Sequence, residues 1–182
     1  MAKVYVFLAE GFETVEALAV VDVLRRAKVE VVTVAVGEDL LITSAQKIAV
    51  KADKLLSEEL YEDGDVVFLP GGMPGTRNLE ADEKVVSIVR KQYEAGKIIA
   101  AICAAPSVFG HMNLLNGRKA TCFPGFEKDL LGAEVVTDRV VVDENVITSR
   151  GMGTAIDLGL VLVEQLVNKE TADTISSSIQ YK

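Results

Sequence analysis

The feature of this sequence that most constrains its fold is a series of short, nearly continuous apolar runs separated by helical segments. Continuous apolar runs are typical of strands that helices cover on both faces, as in parallel sheets. The runs are VYVFLA (4–9), VEVVTVAV (29–36), DVVFLP (65–70), KIIAAI (97–102) and NVITS (145–149). The helical segments are ETVEALAVVDVLRRA (13–27), DEKVVSIVRKQYEAG (82–96) and GTAIDLGLVLVEQLVNK (153–169). This alternation predicts an α/β protein with a doubly wound, mostly parallel sheet, whose functional groups collect at the carboxyl ends of the strands.

Two further segments, 40–50 and 135–149, predict antiparallel ribbons that are added to that sheet. The sequence shows neither a linker nor a repeat, so we expect a single domain over residues 1–182. The apolar run near the N-terminus is followed at once by Glu10 and shows no cleavage-site pattern. We therefore expect a cytoplasmic protein.

Charge and cysteine content exclude several classes of function. The formal net charge of −8 gives a surface that repels phosphate backbones and anionic lipid, so we expect neither nucleic acid nor membrane as a partner. The two cysteines, Cys103 and Cys122, are too few for a disulfide framework. Neither lies in a CxxC motif or near a second histidine, so we expect no metal site.

The stretch KIIAAICAAPSVFG leads an apolar strand directly into Cys103. We expect this thiol at the carboxyl end of a central strand and in the first turn of the following helix, with Pro106 just inside that helix. A helix N-terminus lowers the pKa of a cysteine and favours the reactive thiolate, and the small Ala104 fits a crowded turn of this kind. The alternative is a buried cysteine that only fills space in the core.

A second strand end, DVVFLPGGMPG, contains Gly71 and Gly72. Paired glycines allow backbone N–H groups to approach a ligand, so this corner could form an oxyanion hole, although a tight turn without a ligand is a common alternative. In a parallel sheet both corners open on the same edge. The pair is therefore more informative than either corner alone.

Glu16 is the carboxylate that the pattern places near these corners. Its neighbours on a helix are mostly apolar, with Glu13 as a like charge, and both features raise a carboxyl pKa. A protonated Glu16 could donate a hydrogen bond to a thiolate or move protons on a bound substrate. The alternative is that Glu13 and Glu16 only complement a helix N-terminus.

The single histidine, His111, argues against an ordinary Cys-His or Ser-His-Asp enzyme. On a regular helix it would lie about 12 Å along the axis from Cys103, beyond hydrogen-bonding reach. We expect it in a loop or at a helix end.

A series of motifs, in order along nearly the whole chain, resembles the ThiJ/PfpI superfamily and within it the DJ-one branch. The motifs are AEGFETVEA (9–17), VDVLRRA (21–27), VVFLPGGMPG (66–75), AAICAAPSVFG (100–110) and TSRGMGTA (148–155). The resemblance implies a flavodoxin-like sandwich and a homodimer built partly on the first long helix.

The same resemblance implies roles for individual residues. Cys103 would be the reactive cysteine, Glu16 its protonated carboxyl partner, and Gly72 and Ala104 the backbone donors beside it. Two further sets would support the dimer or the site: Arg25 or Arg26, at the dimer contact near the site, and Arg150, which matches the family's TSRG.

The sequence departs from the family pattern at two positions. Proteases of the PfpI type carry a histidine directly after the cysteine, where this chain has Ala104, so protease activity is not carried over. Several DJ-one relatives have a histidine just before the proline that Pro124 matches, where this chain has Phe123. Cys103 and Glu16 would then perform most of the chemistry.

Two functions follow from the resemblance. The first is a cofactor-independent glyoxalase or deglycase, in which Cys103 adds to the aldehyde of methylglyoxal or glyoxal and Glu16 moves the proton between adjacent carbons. The second is a redox-responsive or chaperone-like stress protein whose cysteine is oxidised by peroxide to a sulfinate. Both functions use the same residues.

Overall fold

The computed structural model describes residues 2–181, which form eleven strands and six helices. The strands are β1 (Lys3–Ala9), β2 (Glu30–Val36), β3 (Leu41–Thr43), β4 (Ala49–Lys51), β5 (Lys54–Leu55), β6 (Val66–Leu69), β7 (Ile98–Ile102), β8 (Lys119–Ala120), β9 (Glu134–Val135), β10 (Val140–Asp143) and β11 (Val146–Ser149). The helices are α1 (Thr14–Arg26), α2 (Gly75–Ala81), α3 (Glu83–Glu94), α4 (Pro106–His111), α5 (Ala155–Leu166) and α6 (Lys169–Ser178). Two 3₁₀ turns, Glu127–Asp129 and Met152–Thr154, complete the regular structure of these residues.

Seven strands form the central sheet, in the order β10-β11-β7-β6-β1-β2-β5. Every neighbouring pair in it is parallel except β10 and β11, which form an antiparallel hairpin at one edge. This arrangement confirms the predicted α/β class with a doubly wound, mostly parallel, flavodoxin-like sheet. The carboxyl ends of β1, β6, β7 and β11 therefore meet at one edge of the sheet.

The apolar runs form strands because both faces of the sheet are covered. Along β1, Val4, Val6 and Leu8 pack with α1, α5 and α6 on one face. Tyr5 and Phe7 alternate with them and pack with α2, α3 and α4 on the other face. Burial of both sets explains why the run is continuous rather than alternating in polarity.

Three details differ from the prediction. The ribbon expected at 40–50 forms a separate two-stranded sheet, β3 with β4, rather than an addition to the main sheet, because each of its strands is paired only with the other and with no strand of the main sheet. The segment expected as one helix over 153–169 contains α5, which begins at Ala155 and ends at Leu166, and α6 follows. The short α2, directly after the glycine corner, is not predicted from the sequence.

No helix within residues 2–181 has both the length and the apolar character that a membrane span needs. The longest helix there, α1, has only 13 residues.

Candidate active site

Cys103 occupies the corner that follows β7. Its backbone φ of 66° lies in the left-handed region, which is uncommon for a residue with a side chain and marks local strain. Two backbone hydrogen bonds fix this conformation: its N–H donates to Ser149 (3.0 Å), and its carbonyl oxygen accepts from the N–H of Phe123 (2.8 Å). The corner therefore holds the half-buried Cys103 in a defined position.

The prediction that Cys103 lies in the first turn of a helix is wrong in detail. The helix that follows, α4, begins only at Pro106, with Ala105 as its N-cap. Pro106 does lie at the start of the helix, as predicted, where its missing N–H costs nothing.

Glu16 lies in the first turn of α1, and its side chain is buried, with 1% exposed. Glu13 caps this helix, because its Oε2 accepts a hydrogen bond from the N–H of Glu16 at 2.7 Å. The Glu16 carboxylate instead accepts the N–H of Gly71 at 3.0 Å through its own Oε2. The alternative that Glu16 only complements the helix N-terminus therefore fits Glu13 and not Glu16.

Gly71 allows the carboxyl and the thiol to meet. A Cβ built on Gly71 would lie 2.5 Å from Oε2 of Glu16, 2.6 Å from Cβ of Cys103 and 2.8 Å from the carbonyl oxygen of Ile102. Any side chain at this position would displace one of these groups. The sequence shows the glycine pair, but no local pattern in it predicts the contact of Gly71 with Glu16.

Burial raises the pKa of the Glu16 carboxyl to about 7. The hydrogen bond from the Cys103 thiol acts against this rise, the charge of Glu13 adds to it, and the backbone N–H groups of Gly71 and Met152 oppose it. The raised pKa agrees in direction with the prediction from the apolar helix face. Near neutral pH this carboxyl can therefore both accept and release a proton.

Burial, followed by the charge of an ionised Glu16, raises the pKa of the Cys103 thiol to about 12. The backbone N–H groups of Ala104 and Gly72 act in the lowering direction, as the predicted donors should, but they do not compensate. The prediction of a thiol pKa below its ordinary value is therefore wrong. The thiol is buried and lies beside a carboxylate, and both features raise its pKa. The backbone N–H groups of the turn lower the pKa by less than either feature raises it.

Together the two groups hold two protons below about pH 7 and one proton between about pH 7 and pH 12. A thiol beside a carboxylate and a thiolate beside a neutral carboxyl carry the same total charge. Transfer of the proton from Cys103 to Glu16 along their hydrogen bond therefore creates no additional buried charge. The pair can produce a thiolate at the moment when its sulfur attacks an electrophile.

Cys122 and Phe123 follow β8 and reach the same edge of the sheet. The Cys122 side chain is 1% exposed and packs in the core on the α3 and α4 face, whereas Cys103 contacts the core on the α1 face. Phe123 is 46% exposed, and its ring lies beside Gly151 at the mouth of the site. Phe123 is thus at the site, but it offers no group that could transfer a proton.

Arg25 and Arg26 do not reach Cys103 within one chain. They lie in the last turn of α1, about 14 Å along the helix axis from Glu16. Arg25 donates to Asp53 (2.8 Å), and Arg26 donates to Asp22 (2.6 Å). Their place at a dimer contact near the site stays a prediction.

Arg150 and His111 differ in their relation to the site. Arg150 directly follows β11, where Ser149 pairs with Ile102, so its backbone is level with Cys103 at the sheet edge. His111 lies at the end of α4, where its ring contacts Glu80 (2.5 Å) and Asp129 (3.4 Å). The structure therefore brings Arg150 beside the corner and places His111 at a helix end, one of the two places predicted from the sequence.

Within residues 2–181, no three side chains of the His, Cys, Asp and Glu types are grouped closely enough to hold a metal ion. The groups that can act on a bound molecule at this corner are the Cys103 thiol, the Glu16 carboxyl and the backbone N–H groups of Gly72 and Ala104. This set suits nucleophilic addition to an electrophilic carbon with proton transfer by the carboxyl.

Comparison with known proteins gives consistent matches. The model of the DJ-1/PfpI family matches residues 2–165. Protein DJ-1 homolog B of Arabidopsis thaliana is 40% identical over 177 residues, which cover 97% of this chain but only 40% of that protein's length. Deglycase PH1704 of Pyrococcus horikoshii is 37% identical over 150 residues, which cover 81% of this chain and 89% of the relative. The solved structure titled Toxoplasma gondii DJ-1, oxidized superimposes with a TM-score of 0.96 at 36% identity, over 100% of this chain and 99% of that one.

Proposed function

This chain belongs to the DJ-1/PfpI family, and from that premise we propose that it is a cofactor-independent enzyme of the glyoxalase or deglycase type. Its substrates would be methylglyoxal, glyoxal or their adducts. A relative with 37% identity carries the name deglycase, which supports a role of this type in defence against reactive carbonyls. The observation that carries the proposal is the contact between Cys103 and Glu16, made possible by Gly71.

The first chemical step would be addition of sulfur to the aldehyde carbon. Glu16 accepts the thiol proton while the carbon–sulfur bond forms, and the same proton then passes to the former aldehyde oxygen, giving a hemithioacetal. The N–H groups of Gly72 and Ala104, which face the sulfur, are close enough to stabilise negative charge during this step. No redox partner is needed, because the thiol and the aldehyde supply every atom.

The second step would be an internal proton transfer. Glu16 removes the proton from the carbon bound to sulfur and returns it to the neighbouring carbon. The hydroxyl proton moves to the neighbouring oxygen, so the hemithioacetal becomes a thioester of a 2-hydroxy acid. Water then hydrolyses the thioester, which releases lactate from methylglyoxal and restores the thiol. A carboxyl with a pKa of about 7 suits both halves of this transfer.

Formation of lactate from methylglyoxal, followed by NMR with fully reduced protein, tests the proposal. Wild type and Cys122→Ser should turn over at similar rates, whereas Cys103→Ser should lose activity by about 10³-fold or more. Equal rates for wild type and Cys103→Ser would overturn the assignment. The Cys122→Ser variant controls for the loss of a thiol as such, because Cys122 lies in the core.

A redox-responsive role is the second candidate. A sulfinate on Cys103 could accept hydrogen bonds from a protonated Glu16 and from the Gly72 and Ala104 N–H groups, which already face this side chain. The similarity to a structure titled as an oxidized DJ-1 is compatible with this role. Two equivalents of peroxide should add two oxygens, about 32 Da, to Cys103 in intact-mass measurements, one in forming the sulfenic acid and one in forming the sulfinate. Oxidation without dicarbonyl turnover by the reduced protein would favour this role over the enzyme.

A further inference from the structure

Three large apolar side chains are exposed where a buried position would be expected for their type. Met73 is 39% exposed, Phe123 46% and Met152 56%. Scattered exposed apolar residues are normal at a protein surface, but a group of them around one point indicates a binding surface. These three come from three separate loops.

Each of the three residues either follows a residue of the site in the chain or makes a backbone hydrogen bond to one. Met73 directly follows Gly72, whose N–H faces the Cys103 sulfur. The N–H of Phe123 donates to the carbonyl oxygen of Cys103 at 2.8 Å. The backbone of Met152 hydrogen-bonds to the Glu16 carboxyl. The backbones of all three residues therefore lie next to the thiol or its carboxyl partner.

The ring of Phe123 shows how close this apolar surface is to the reacting groups. A Cβ built on Gly151 would lie 3.2 Å from Cδ2 of Phe123 and 3.8 Å from Oε1 of Glu16. One small space is thus bordered by the ring edge on one side and by the carboxyl on the other. A substituent on a carbon that is bonded to the Cys103 sulfur would meet an aromatic surface here.

The charges near the site further restrict the type of substituent that it can bind. Glu13 lies beside Glu16, and its negative charge contributes to the raised pKa of the Glu16 carboxyl. An anionic substituent would be repelled by Glu13 and by the ionised form of Glu16 in a partly desolvated site, whereas the positive charge of Arg150 at the same edge acts on Cys122 and Glu127. An uncharged apolar group would instead be removed from water against Phe123 and the two methionines, which is favourable.

We propose that Met73, Phe123 and Met152 form an apolar mouth that selects 2-oxoaldehydes with an uncharged aryl or branched alkyl substituent over glyoxal. The inference rests on the proposed function, since it names the substrate class of the same site. The selective element is binding of the second substituent, and the carbonyl chemistry is unchanged.

The ratio of kcat/KM for phenylglyoxal to kcat/KM for glyoxal measures this selectivity. Phe123→Ser should lower the ratio about tenfold or more, because a phenyl group loses its aromatic contact, and Met152→Ser should lower it by less. Leu131→Ser is the matched control, because Leu131 is also 46% exposed but lies beyond the 3₁₀ turn Glu127–Asp129, beside Gly110 near the end of α4. A ratio that is equal in wild type, Phe123→Ser and Leu131→Ser would overturn the apolar mouth.

A second measurement does not depend on turnover. In the Cys122→Ser background, Cys103 is labelled with N-phenylmaleimide or with N-methylmaleimide, and the rate constant of the phenyl reagent is divided by that of the methyl reagent. This ratio is then divided by the same ratio for a free thiol. The proposal predicts a preference of several-fold for the phenyl reagent, which Phe123→Ser removes and Leu131→Ser keeps. A corrected ratio near one in the wild type would contradict the mouth.

The two measurements separate the inference from the function on which it rests. If labelling shows the aryl preference but no dicarbonyl is turned over, the proposed enzyme fails and the apolar recognition surface stands. If glyoxal and phenylglyoxal are turned over without any dependence on Phe123, the enzyme stands and the apolar mouth fails.

Discussion

The two cysteines of this chain lie close to the same edge of the sheet and have similarly raised pKa values, yet their surroundings differ. Burial raises the pKa of Cys122 to about 11, and burial together with Glu16 raises that of Cys103 to about 12. Cys122 is fully buried in the core, whereas Cys103 is half-buried and hydrogen-bonded to a carboxyl that titrates near pH 7. A perturbed thiol pKa therefore does not identify the reactive cysteine by itself. Access and a proton acceptor distinguish Cys103.

The largest effect should come from removal of that proton acceptor. Glu16→Gln keeps the size of the side chain but cannot accept and return a proton, so dicarbonyl turnover should fall by about 10²–10⁴-fold. Glu16→Asp keeps the acid but withdraws it by one methylene, and it should retain part of the activity.

Glu13→Gln is the matched control for Glu16→Gln, because Glu13 caps α1 through the N–H of Glu16. This variant should lose at most about 1 kcal/mol of unfolding free energy and keep most of its turnover. Near wild-type turnover by Glu16→Gln, with Cys103→Ser inactive, would remove Glu16 from the mechanism.

Alkylation rates should differ by a smaller factor. At pH 7 to 8 in the native protein, iodoacetamide should modify Cys103 about 100-fold faster than Cys122, because a buried structural cysteine reacts only when its surroundings open. Peptide mass spectrometry after timed quenching measures both rates in one sample. Equal rates would show that the two thiols do not differ in the way the structure indicates.

The stability of the protein should depend on pH through Glu16. The folded-state pKa of about 7 lies above the ordinary value of 4.5, so the folded state binds this proton more tightly than the unfolded state. The contribution is fully present below pH 4.5 and is lost as the pH rises to about 7, by on the order of 3 kcal/mol. Urea unfolding at a series of pH values should show this decrease in the wild type, and Glu16→Gln should remove it. An identical pH dependence in both proteins would contradict the raised pKa.

The smallest effect is expected at Gly71. A substitution there tests whether the contact between Glu16 and Cys103 depends on this glycine. Gly71→Ala would place a Cβ 2.6 Å from Cβ of Cys103 and 2.8 Å from a backbone oxygen, which should lower the unfolding free energy by about 1–3 kcal/mol and weaken turnover. In Gly153→Ala the new Cβ would meet nothing within 4 Å, so this variant should behave like the wild type. Equal stability and turnover in the two variants would show that Gly71 is not needed to bring Glu16 and Cys103 together.

The architecture could be predicted from the sequence because it depends on local patterns. A run such as Val4–Ala9 is apolar throughout since helices cover both faces of β1, and parallel strands necessarily bring their carboxyl ends to one edge. The strand pattern therefore predicts the correct edge of the sheet for the corner at Cys103. The small antiparallel sheet of β3 and β4 was misplaced, because its pattern does not show which strands it pairs with.

The site could be predicted only in part, because its contacts join distant segments. Glu16 and Gly71 are 55 positions apart, and no local pattern indicates that their atoms meet. The balance between burial and backbone N–H groups at Cys103 also depends on packing, which is why the direction of its pKa shift was wrong. Arg25 of α1 has its partner in Asp53, which lies in the loop between β4 and β5, so no local sequence pattern predicts their pairing.

The pH dependence of methylglyoxal turnover in wild type and Glu16→Gln tests most directly whether Cys103 and Glu16 act as a pair that shares one proton. Below pH 7 the pair holds two protons and Glu16 cannot accept the thiol proton, so kcat/KM should rise through an apparent pKa of about 7 and then remain level up to at least pH 9. In Glu16→Gln this rise should disappear, and the remaining activity should increase only with ionisation of the thiol at high pH. A wild-type profile that is flat from pH 5 to 9, or one that Glu16→Gln leaves unchanged, would contradict the shared proton.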